Sequence, residues 1–509
     1  MRATAAALAV ALVAVSTPLR AEDEAAALLA KHQAYVGWQF GDGTITSLRT
    51  EGTYSRLGKD GQPEVTSTFT EIQRGVARRR DIETKRGSSV EGFTGSIFWR
   101  SDVNGFTLRV LGEQTKYLIA KSLLFDEATA QMPGIAQGTS TIDGKPYSIV
   151  RVGLKDQAFP IDLYIDPATG RYGRAVIDPG GRYETTFDAL TYADALPGKK
   201  LIASWRFGKT AVERTKIQAN APVSDDDLHP PAQTAHWAFT NDQPIPIEVT
   251  DERIFVTAKI NGVPGHFLFD TGAGGIFVSA KFSRAANLTP ILSQVARGIG
   301  PFVSRQERVK AATLDIGGNV LHDVIMSASR DNGRDTSQEQ FDGLLGCDFL
   351  AGAIVGVDLH KKTLSINDPG KTAPAAGSGF VVSPDLSSGT PVIPMRLNNT
   401  VDVLATLDSG DFMYVLFSPD LVSKYKLRFL VDPSSLASQL RIGGVGGEET
   451  GRCGQLGSLD VGPINYQGPP ACELPTLHGR EILVGFDFLK NFDLVFDYPD
   501  GQMVLYPHK

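Results

Sequence analysis

The 509-residue chain has few cysteines and no marked excess of charge of either sign. Its three cysteines include no Cys-x-x-Cys pair, which excludes a disulfide-dense scaffold and the usual zinc or dithiol motif. Fifty basic and 57 acidic residues give a net charge of −7, which argues against nucleic acid as a partner. With 42% hydrophobic and 21% charged residues, the composition excludes a mostly disordered chain.

Long hydrophobic runs are also scarce, and the only one lies near the N-terminus. Residues 1–21 combine an early arginine, an apolar stretch from Ala5 to Val15 and a short polar region that ends in Ala21. This order is typical of a secretory signal peptide, and the stretch is short for a membrane span. We expect a bacterial protein exported to the periplasm or secreted, with no transmembrane span after signal removal. An uncleaved N-terminal anchor is the alternative.

Several catalytic signatures are missing. The sequence has no His-Glu-x-x-His zinc helix, no Gly-x-Ser-x-Gly nucleophile elbow and no phosphate-binding P-loop, and its eight histidines lack metal-ligand spacing. The sequence therefore predicts neither a metal nor a cofactor.

The length predicts about three domains. Residues 24–35 have helical spacing, and polar and apolar residues then alternate in segments broken by Gly, Asn and Asp, which indicates an antiparallel sheet. Breaks in composition predict the following organisation: a signal peptide at 1–21, an N-terminal β-rich domain at 22–215, a linker at 216–245, a lobe at 246–368, a linker at 369–379 and a second lobe at 380–509.

The part after residue 245 repeats itself. Each copy has two strands, the second of which ends in Asp-Thr-Gly at Asp270 or in Asp-Ser-Gly at Asp408. The copies agree again at LLGCDFL and LVGFDFL, where Gly346 lies 76 positions after the first aspartate and Gly485 lies 77 after the second. One such triplet would occur by chance about 0.2 times in a chain of this length, so two in register indicate a duplication.

Paired loops of this kind predict a pseudo-twofold site in which Asp270 and Asp408 face each other. Two carboxylates about 3 Å apart share one proton, so one is a base while the other is an acid. A water between them can attack a carbonyl carbon while the acid protonates the carbonyl oxygen, which hydrolyses an amide without a covalent intermediate. The supporting loop residues are Thr271, Gly272, Ala273, Ser409, Gly410 and Asp411, where glycine permits close approach and the hydroxyls can bond across to the other loop.

These residues resemble the active-site motifs of aspartic proteases of the pepsin/retropepsin type. Asp270-Thr271-Gly272-Ala273 is similar to the retropepsin motif, and Asp408-Ser409-Gly410 is similar to the second pepsin copy. The apolar-apolar-Gly segments that end at Gly346 and Gly485 match those that pack beneath each catalytic loop in that family. The resemblance implies a mainly β fold with two duplicated retropepsin/pepsin-like β-barrel lobes and an aspartic endopeptidase acting on peptides or proteins. Because both lobes lie in one chain, we expect a monomer.

The resemblance also implies β-hairpin flaps that close over the substrate. The candidates lie 28 to 38 residues after the aspartates and are Gly298, Ile299, Gly300, Gly444, Val445 and Gly446. A plain hairpin turn is the alternative for these positions.

One position departs from the family pattern. Pepsin-like sites carry Ser, Thr or Ala where the second copy has Asp411. An ionised third carboxylate there would make the pair hold its proton more tightly, whereas one that accepts a backbone hydrogen bond could point away. Either the activity extends toward neutral pH, which we expect, or the second lobe is impaired.

The N-terminal domain loosely resembles the half-barrels of periplasmic lipoprotein carriers (LolA-like), with a similar turn at Ile165–Arg171 after an early helix and an antiparallel sheet. The resemblance implies a concave apolar face that could contact a lipid, a lipoprotein or a peptide, and an inhibitory pro-domain is the rival interpretation. Two other functions stay open: an impaired, protease-like peptide-binding protein, and a periplasmic lipid- or lipoprotein-binding module. Cys453 and Cys472 could form one disulfide, whereas Cys347 is expected to be buried.

Overall fold

The computed structural model describes most of the chain. The described ranges are 18–58, 62–84, 87–250, 252–296, 304–330, 341–371, 379–427, 439–444, 447–475, 477 and 482–508. They fall into two compact units. The first unit contains the described residues of 1–46 and 116–214, and the second contains those of 47–58, 62–115 and 215–509.

The structure is mainly β, as expected, with an N-terminal helix. The elements up to residue 219 are α1 (Pro18–Val36), β1 (Ser47–Leu57), β2 (Pro63–Arg74), β3 (Ala77–Thr84), β4 (Gly87–Phe93), β5 (Phe98–Ser101), β6 (Thr107–Val110), α2 (Glu113–Phe125), a 3₁₀ turn (Thr129–Gln131), β7 (Gly134–Ile142), β8 (Lys145–Val152), β9 (Ile161–Ile165), β10 (Tyr172–Ile177), β11 (Thr185–Leu196), β12 (Lys199–Phe207) and β13 (Thr210–Ala219). Helix α2 was not predicted.

The first unit packs α1 with an antiparallel meander in which each of β7 to β12 pairs with the next strand. The buried positions of α1 include Ala25, Leu29, His32 and Val36, which recur at three to four residues and form one apolar stripe. His32 is fully buried and contacts the carboxylate of Glu127 at 3.1 Å, so its polar ring is satisfied within the core.

In the second unit, each of β1 to β5 pairs antiparallel with the next strand. Asn104, in the turn between β5 and β6, is fully buried, and its side chain bonds both backbone groups of Ile325. Phe106 and Leu108 belong to the main apolar core of this unit together with residues from both predicted lobes. The turn and β6 are therefore part of the packed core.

The remaining strands and helices belong to the second unit. They are β14 (His236–Ala238), β15 (Ile245–Pro246), β16 (Glu248–Val249), β17 (Ile254–Ile260), β18 (Val263–Phe269), β19 (Phe277–Val278), α3 (Ala280–Ala285), β20 (Thr289–Ala296), β21 (Ser304–Ile316), β22 (Asn319–Ser329), β23 (Gly343–Leu345), α4 (Cys347–Leu350), β24 (Ile354–Asp358), β25 (Thr363–Asn367), β26 (Phe380–Val382), β27 (Val392–Leu397), β28 (Val401–Asp408), β29 (Val415–Phe417), α5 (Pro419–Tyr425), β30 (Gln439–Gly444), β31 (Gly447–Gln455), β32 (Ser458–Val461), β33 (Ile464–Gln467), β34 (Pro470–Glu473), β35 (Ile482–Gly485), α6 (Phe486–Leu489), β36 (Phe492–Asp497) and β37 (Gln502–Pro507). A 3₁₀ turn (Asp226–Leu228) precedes β14.

The same strand pairings occur in 246–368 and in 380–509. Strand β18 runs parallel to β23, as β28 does to β35. Strand β19 pairs antiparallel with β23, as β29 does with β35. Strands β24 and β36 pair with each other in a six-stranded sheet, β15-β25-β24-β36-β37-β26, which joins the two segments. Strand β35 is buried at all four positions, as expected of a strand covered on both faces.

The segment 216–245 contains the end of β13, all of β14 and the first residue of β15, and β14 and β15 pair with β22 and β25 respectively. The domain boundaries drawn from the sequence stay predictions.

Candidate active site

Each of the two predicted aspartates lies at the end of a buried strand. Asp270 follows β18, and its backbone N–H donates to the carbonyl oxygen of Leu345 at the end of β23 (3.0 Å). Asp408 is the last residue of β28 and lies opposite Gly485 in the parallel pair with β35. Because both loops leave the sheet beside an equivalent parallel strand, they meet in equivalent orientations.

Four hydrogen bonds cross between the two loops, and they are reciprocal. The backbone N–H of Thr271 donates to Ser409 Oγ (3.1 Å), and the N–H of Ser409 donates to Thr271 Oγ1 (3.0 Å). The Thr271 hydroxyl donates to the carbonyl oxygen of Leu407 (2.9 Å), and the Ser409 hydroxyl donates to that of Phe269 (2.8 Å). Both hydroxyl-bearing side chains are buried, so no water competes for these bonds.

The glycines bring each carboxyl group against the opposite loop. A side chain at Gly272 would collide with the carboxylate of Asp408, and one at Gly410 would collide with that of Asp270. Only glycine leaves room for the facing carboxyl at these two positions. The carboxyl group of each aspartate therefore lies against the opposite loop.

Backbone donors hold the carboxylates in place. Asp270 Oδ1 accepts from the N–H of Ala273 (3.0 Å). Asp408 Oδ1 accepts from the N–H groups of Gly410 (3.0 Å) and Asp411 (3.2 Å). Asp270 is partly exposed, whereas Asp408 is 6% exposed. Fixed donors of this kind orient a carboxylate without a metal.

The apolar-apolar-Gly segments that end at Gly346 and Gly485 pack against the backbone of the two aspartate loops. A side chain at Gly346 would collide with the carbonyl oxygens of residues 273 and 275, and one at Gly485 with those of residues 411 and 413. The N–H of Cys347 donates to the carbonyl oxygen of Ala273 (2.9 Å), and the N–H of Phe486 donates to the backbone carbonyl oxygen of Asp411 (2.6 Å). The segments are thus equivalent in position and in bonding.

Asp411 is buried beside the pair, at the position that Ala273 occupies in the first loop. Its Oδ1 accepts from the N–H of Met413 (3.1 Å), and its Oδ2 is buried without a hydrogen-bond partner. Burial and the negative charge of Asp408 together raise the pKa of Asp411 to about 7. The carboxyl is therefore neutral in acidic solution.

The predicted flap positions lie mostly outside the described residues. Gly298, Ile299, Gly300, Val445 and Gly446 are outside them, and Gly444 ends β30 opposite Gly447 of β31. The described strands on either side pair as antiparallel hairpins, β20 with β21 and β30 with β31.

The cysteines are arranged as the sequence suggested. Cys453 on β31 and Cys472 on β34 form a disulfide between paired strands. Cys347 is buried and takes no part in a disulfide, and its Sγ lies 3.3 Å from the carbonyl oxygen of Thr271.

Sequence reasoning missed a second group of charged residues in this unit. Arg100, Asp102, Arg308 and Asp348 line one cavity near the first loop. Asp348 belongs to the repeated Gly-x-Asp-Phe-Leu segment, which was the only available signal, whereas the other three lie far from it in the chain.

Within the described ranges, no cluster of three or more His, Cys, Asp or Glu side chains could hold a metal ion. A search of the same residues for helices long and apolar enough to cross a membrane also found none.

Comparison with known proteins gives one family match. A family model described as aspartyl protease matches residues 256–349, which include the first loop and the segment at Gly346. No curated protein matches the chain significantly. The solved structure of a DUF1329 family protein from Desulfovibrio piger matches with 13% identity and a TM-score of 0.30, covering 41% of this chain and 97% of that one. That likeness is too weak to carry an argument. Residues 256–349 therefore form an aspartyl protease-like region.

Proposed function

We propose that the protein is an aspartic endopeptidase built from two duplicated pepsin/retropepsin-like lobes. Asp270 and Asp408 are its acid and base. The observation that carries the proposal is the reciprocal set of bonds between Thr271 and Ser409, which couples two loops that each present an aspartate to the other. The aspartyl protease-like region at 256–349 supports the same assignment for the first loop.

In the proposed reaction, a water molecule between the two carboxyl groups is the nucleophile. The ionised aspartate takes a proton from the water as the water oxygen bonds to the amide carbon. The protonated aspartate gives its proton to the carbonyl oxygen. The tetrahedral diol then breaks its C–N bond as a proton moves to the leaving nitrogen. The products are one carboxylic acid and one amine, and no acyl-enzyme forms.

A competing proposal is an impaired, peptide-binding scaffold, and the observation in its favour is Asp411. A buried carboxyl beside Asp408 could disturb the sharing of one proton. Since Asp411 is neutral below about pH 7, however, it leaves the charge of the pair unchanged in acidic solution. We therefore favour the active enzyme.

The test is hydrolysis of a mixed-sequence peptide library by the full-length protein, with products read by mass spectrometry between pH 3 and pH 8. Asp270→Asn and Asp408→Asn should each abolish cleavage while the protein still folds. Asp402→Asn, which removes an exposed ion pair with Arg396, is the matched control and should cleave normally. Equal cleavage by all four proteins would exclude the proposed mechanism.

We also propose that the protein is exported by a bacterium and works as a monomer. The signal-like sequence at residues 1–21 and the Cys453–Cys472 disulfide support export, because disulfides persist in oxidising compartments. Cell fractionation with an antibody against the protein would test its location, and light scattering would test its oligomeric state.

A further inference from the structure

A polar cavity of about 280 Å³ lies in the second unit, beside the loop that carries Asp270. Its wall includes Gly274 and Gly275, four and five positions after that aspartate. Ser388 and Gly389, which precede β27, line it too, and a Cβ at Gly274 would lie 3.7 Å from the carbonyl oxygen of Gly389. The cavity is therefore lined by residues of both protease-like segments and by residues from the range 88–108.

Two arginines line this cavity. Arg308 lies on β21, which forms a hairpin with β20, and Arg100 lies on β5, where its Nη1 donates to the carbonyl oxygen of Leu386 (3.2 Å). Arg308 is partly buried, and burial lowers the pKa of its guanidinium. A guanidinium removed from water at a cavity wall favours an anionic partner.

The carboxyl group of Asp348 faces both arginines, that of Asp385 faces Arg100, and that of Asp102 faces Asp348. Burial raises the pKa of Asp348 to about 7, against the opposing effects of Arg308, Arg100 and a hydrogen bond from the N–H of Ile276. Burial and the neighbouring Asp348 raise the pKa of Asp102 well above its usual value. Below about pH 7 the carboxyl group of Asp348 binds a proton and no longer balances the positive charge of the two arginines.

Two of the residues that line this cavity have buried polar atoms without hydrogen-bond partners. Ser101 is 3% exposed, and its hydroxyl has no hydrogen-bond partner. Asp102 Oδ1 accepts from the N–H groups of Asn104 and Phe106, whereas its buried Oδ2 has none. A buried hydroxyl left unpaired is costly, and a bound acceptor would satisfy it.

We propose that this cavity is a substrate subsite that binds a carboxylate of the peptide, through Arg308, Arg100 and the Ser101 hydroxyl. This inference rests on the proposed endopeptidase function. The carboxylate comes from either an acidic side chain or the C-terminus of the peptide, and the cavity volume suits a group of that size. Guanidinium groups and hydroxyls are the donors that carboxylates accept from in proteins.

Binding of the carboxylate should weaken as the pH rises. When Asp348 ionises near pH 7, its negative charge faces Arg308 and Arg100 and competes with the substrate for them. The preference for an acidic substrate should therefore be strongest below pH 7. A purely structural role of the arginines would not produce this pH dependence.

The test uses octapeptides in which one Glu is moved through each position, compared with the same peptides carrying Gln. A second set compares a free C-terminal carboxylate with a C-terminal amide, which separates the two sources of the charge. We measure kcat/KM with the full-length protein and the dissociation constants of the same peptides with its Asp270→Asn variant. We expect one position, or the free C-terminus, to be preferred by about tenfold at pH 5.

The variants are Arg308→Met and Ser101→Ala, and Arg396→Met, at an exposed side chain of β27, is the charge-matched control. Arg308→Met should reduce the preference to within about twofold while neutral peptides are still cleaved, and Ser101→Ala should reduce it by a smaller factor. The control should keep the full preference.

The outcomes distinguish the two proposals. If peptides are cleaved but Glu and Gln, and acid and amide, are equivalent everywhere, the subsite proposal is overturned and the endopeptidase stands. If nothing is cleaved, the endopeptidase proposal fails. The dissociation constants of the acidic and neutral peptides then show whether the cavity binds a carboxylate. A carboxylate preference lost in Arg308→Met supports the subsite, and equal binding of all peptides overturns it.

Discussion

Replacing Asp411 with asparagine should stabilise the second unit by an amount that depends on pH. The pKa of Asp411 is raised from 3.8 to about 7 in the folded protein because the carboxyl is buried and faces Asp408. The folded state thus binds this proton more tightly than the unfolded state. The stabilisation from the neutral carboxyl is complete below about pH 4 and is lost progressively as the pH rises to about 7.

A shift of about 3 pH units corresponds to about 4 kcal/mol at about 1.4 kcal/mol per unit. Asparagine cannot ionise, and its side-chain oxygen can still accept from the N–H of Met413. Asp411→Asn should therefore match the wild type near pH 4 and exceed its free energy of unfolding by up to about 4 kcal/mol above pH 7.

Hydrogen exchange in graded urea, read by mass spectrometry, measures this separately for peptides of the two units. Peptides from residues 401–417 should show the pH-dependent gain, whereas peptides from 161–177 of the first unit should show none. Asp402→Asn, which removes an exposed carboxylate, should change little at any pH. A gain for Asp411→Asn that is the same at pH 4 and pH 8 would refute the assignment of a neutral, buried carboxyl.

Three further perturbations test the geometry of the site. Gly272→Ala should eliminate activity and destabilise the second unit because the new methyl group collides with the carboxylate of Asp408. Gly274→Ala is the control and should be tolerated, because no atom lies nearer than 3.7 Å to the new methyl group. Equal melting temperatures of the two variants would contradict this. Thr271→Val should lower the free energy of unfolding in urea by about 2 to 5 kcal/mol because two buried backbone groups lose their hydrogen bonds to the hydroxyl. A decrease below about 1 kcal/mol would show that water replaces the hydroxyl. Replacing Cys453 and Cys472 with serine should lower the free energy of unfolding by about 3 kcal/mol, as expected for a loop of 19 residues, and reductant should then have no further effect on the melting temperature.

Much of the candidate site could be predicted because short sequence motifs contain its acidic residues and the glycines beside them. Asp-Thr-Gly and Asp-Ser-Gly at equal distances from two Gly-x-Asp-Phe-Leu segments are readable without any structure. The alternation of polar and apolar residues likewise identified the sheet-rich N-terminal region and most of its strands. It failed at α2, because the segment EQTKYLIAKSLLF carries no clear one-sided stripe of apolar residues.

The local pattern could not show which segments pack together over long distances. Asn104 bonds to Ile325, and Arg100 bonds to Leu386, although more than 200 residues separate the members of each pair. Such contacts need a particular turn conformation and a complementary backbone, and neither leaves a periodic signal. The packing of β6 into the core of the second unit is therefore visible only in three dimensions.

The sequence by itself determined the two acidic motifs, the equal spacing of the segments that follow them and the mainly β character, because motif spacing and side-chain periodicity are properties of the chain. Only the tertiary structure decided the environment of each carboxyl. Asp411 and Asp348 are ordinary acidic residues in the sequence, yet burial raises the pKa of each to about 7. The protonation state of a carboxyl depends on the water it loses and the charges it meets, and both are set by residues distant in the chain.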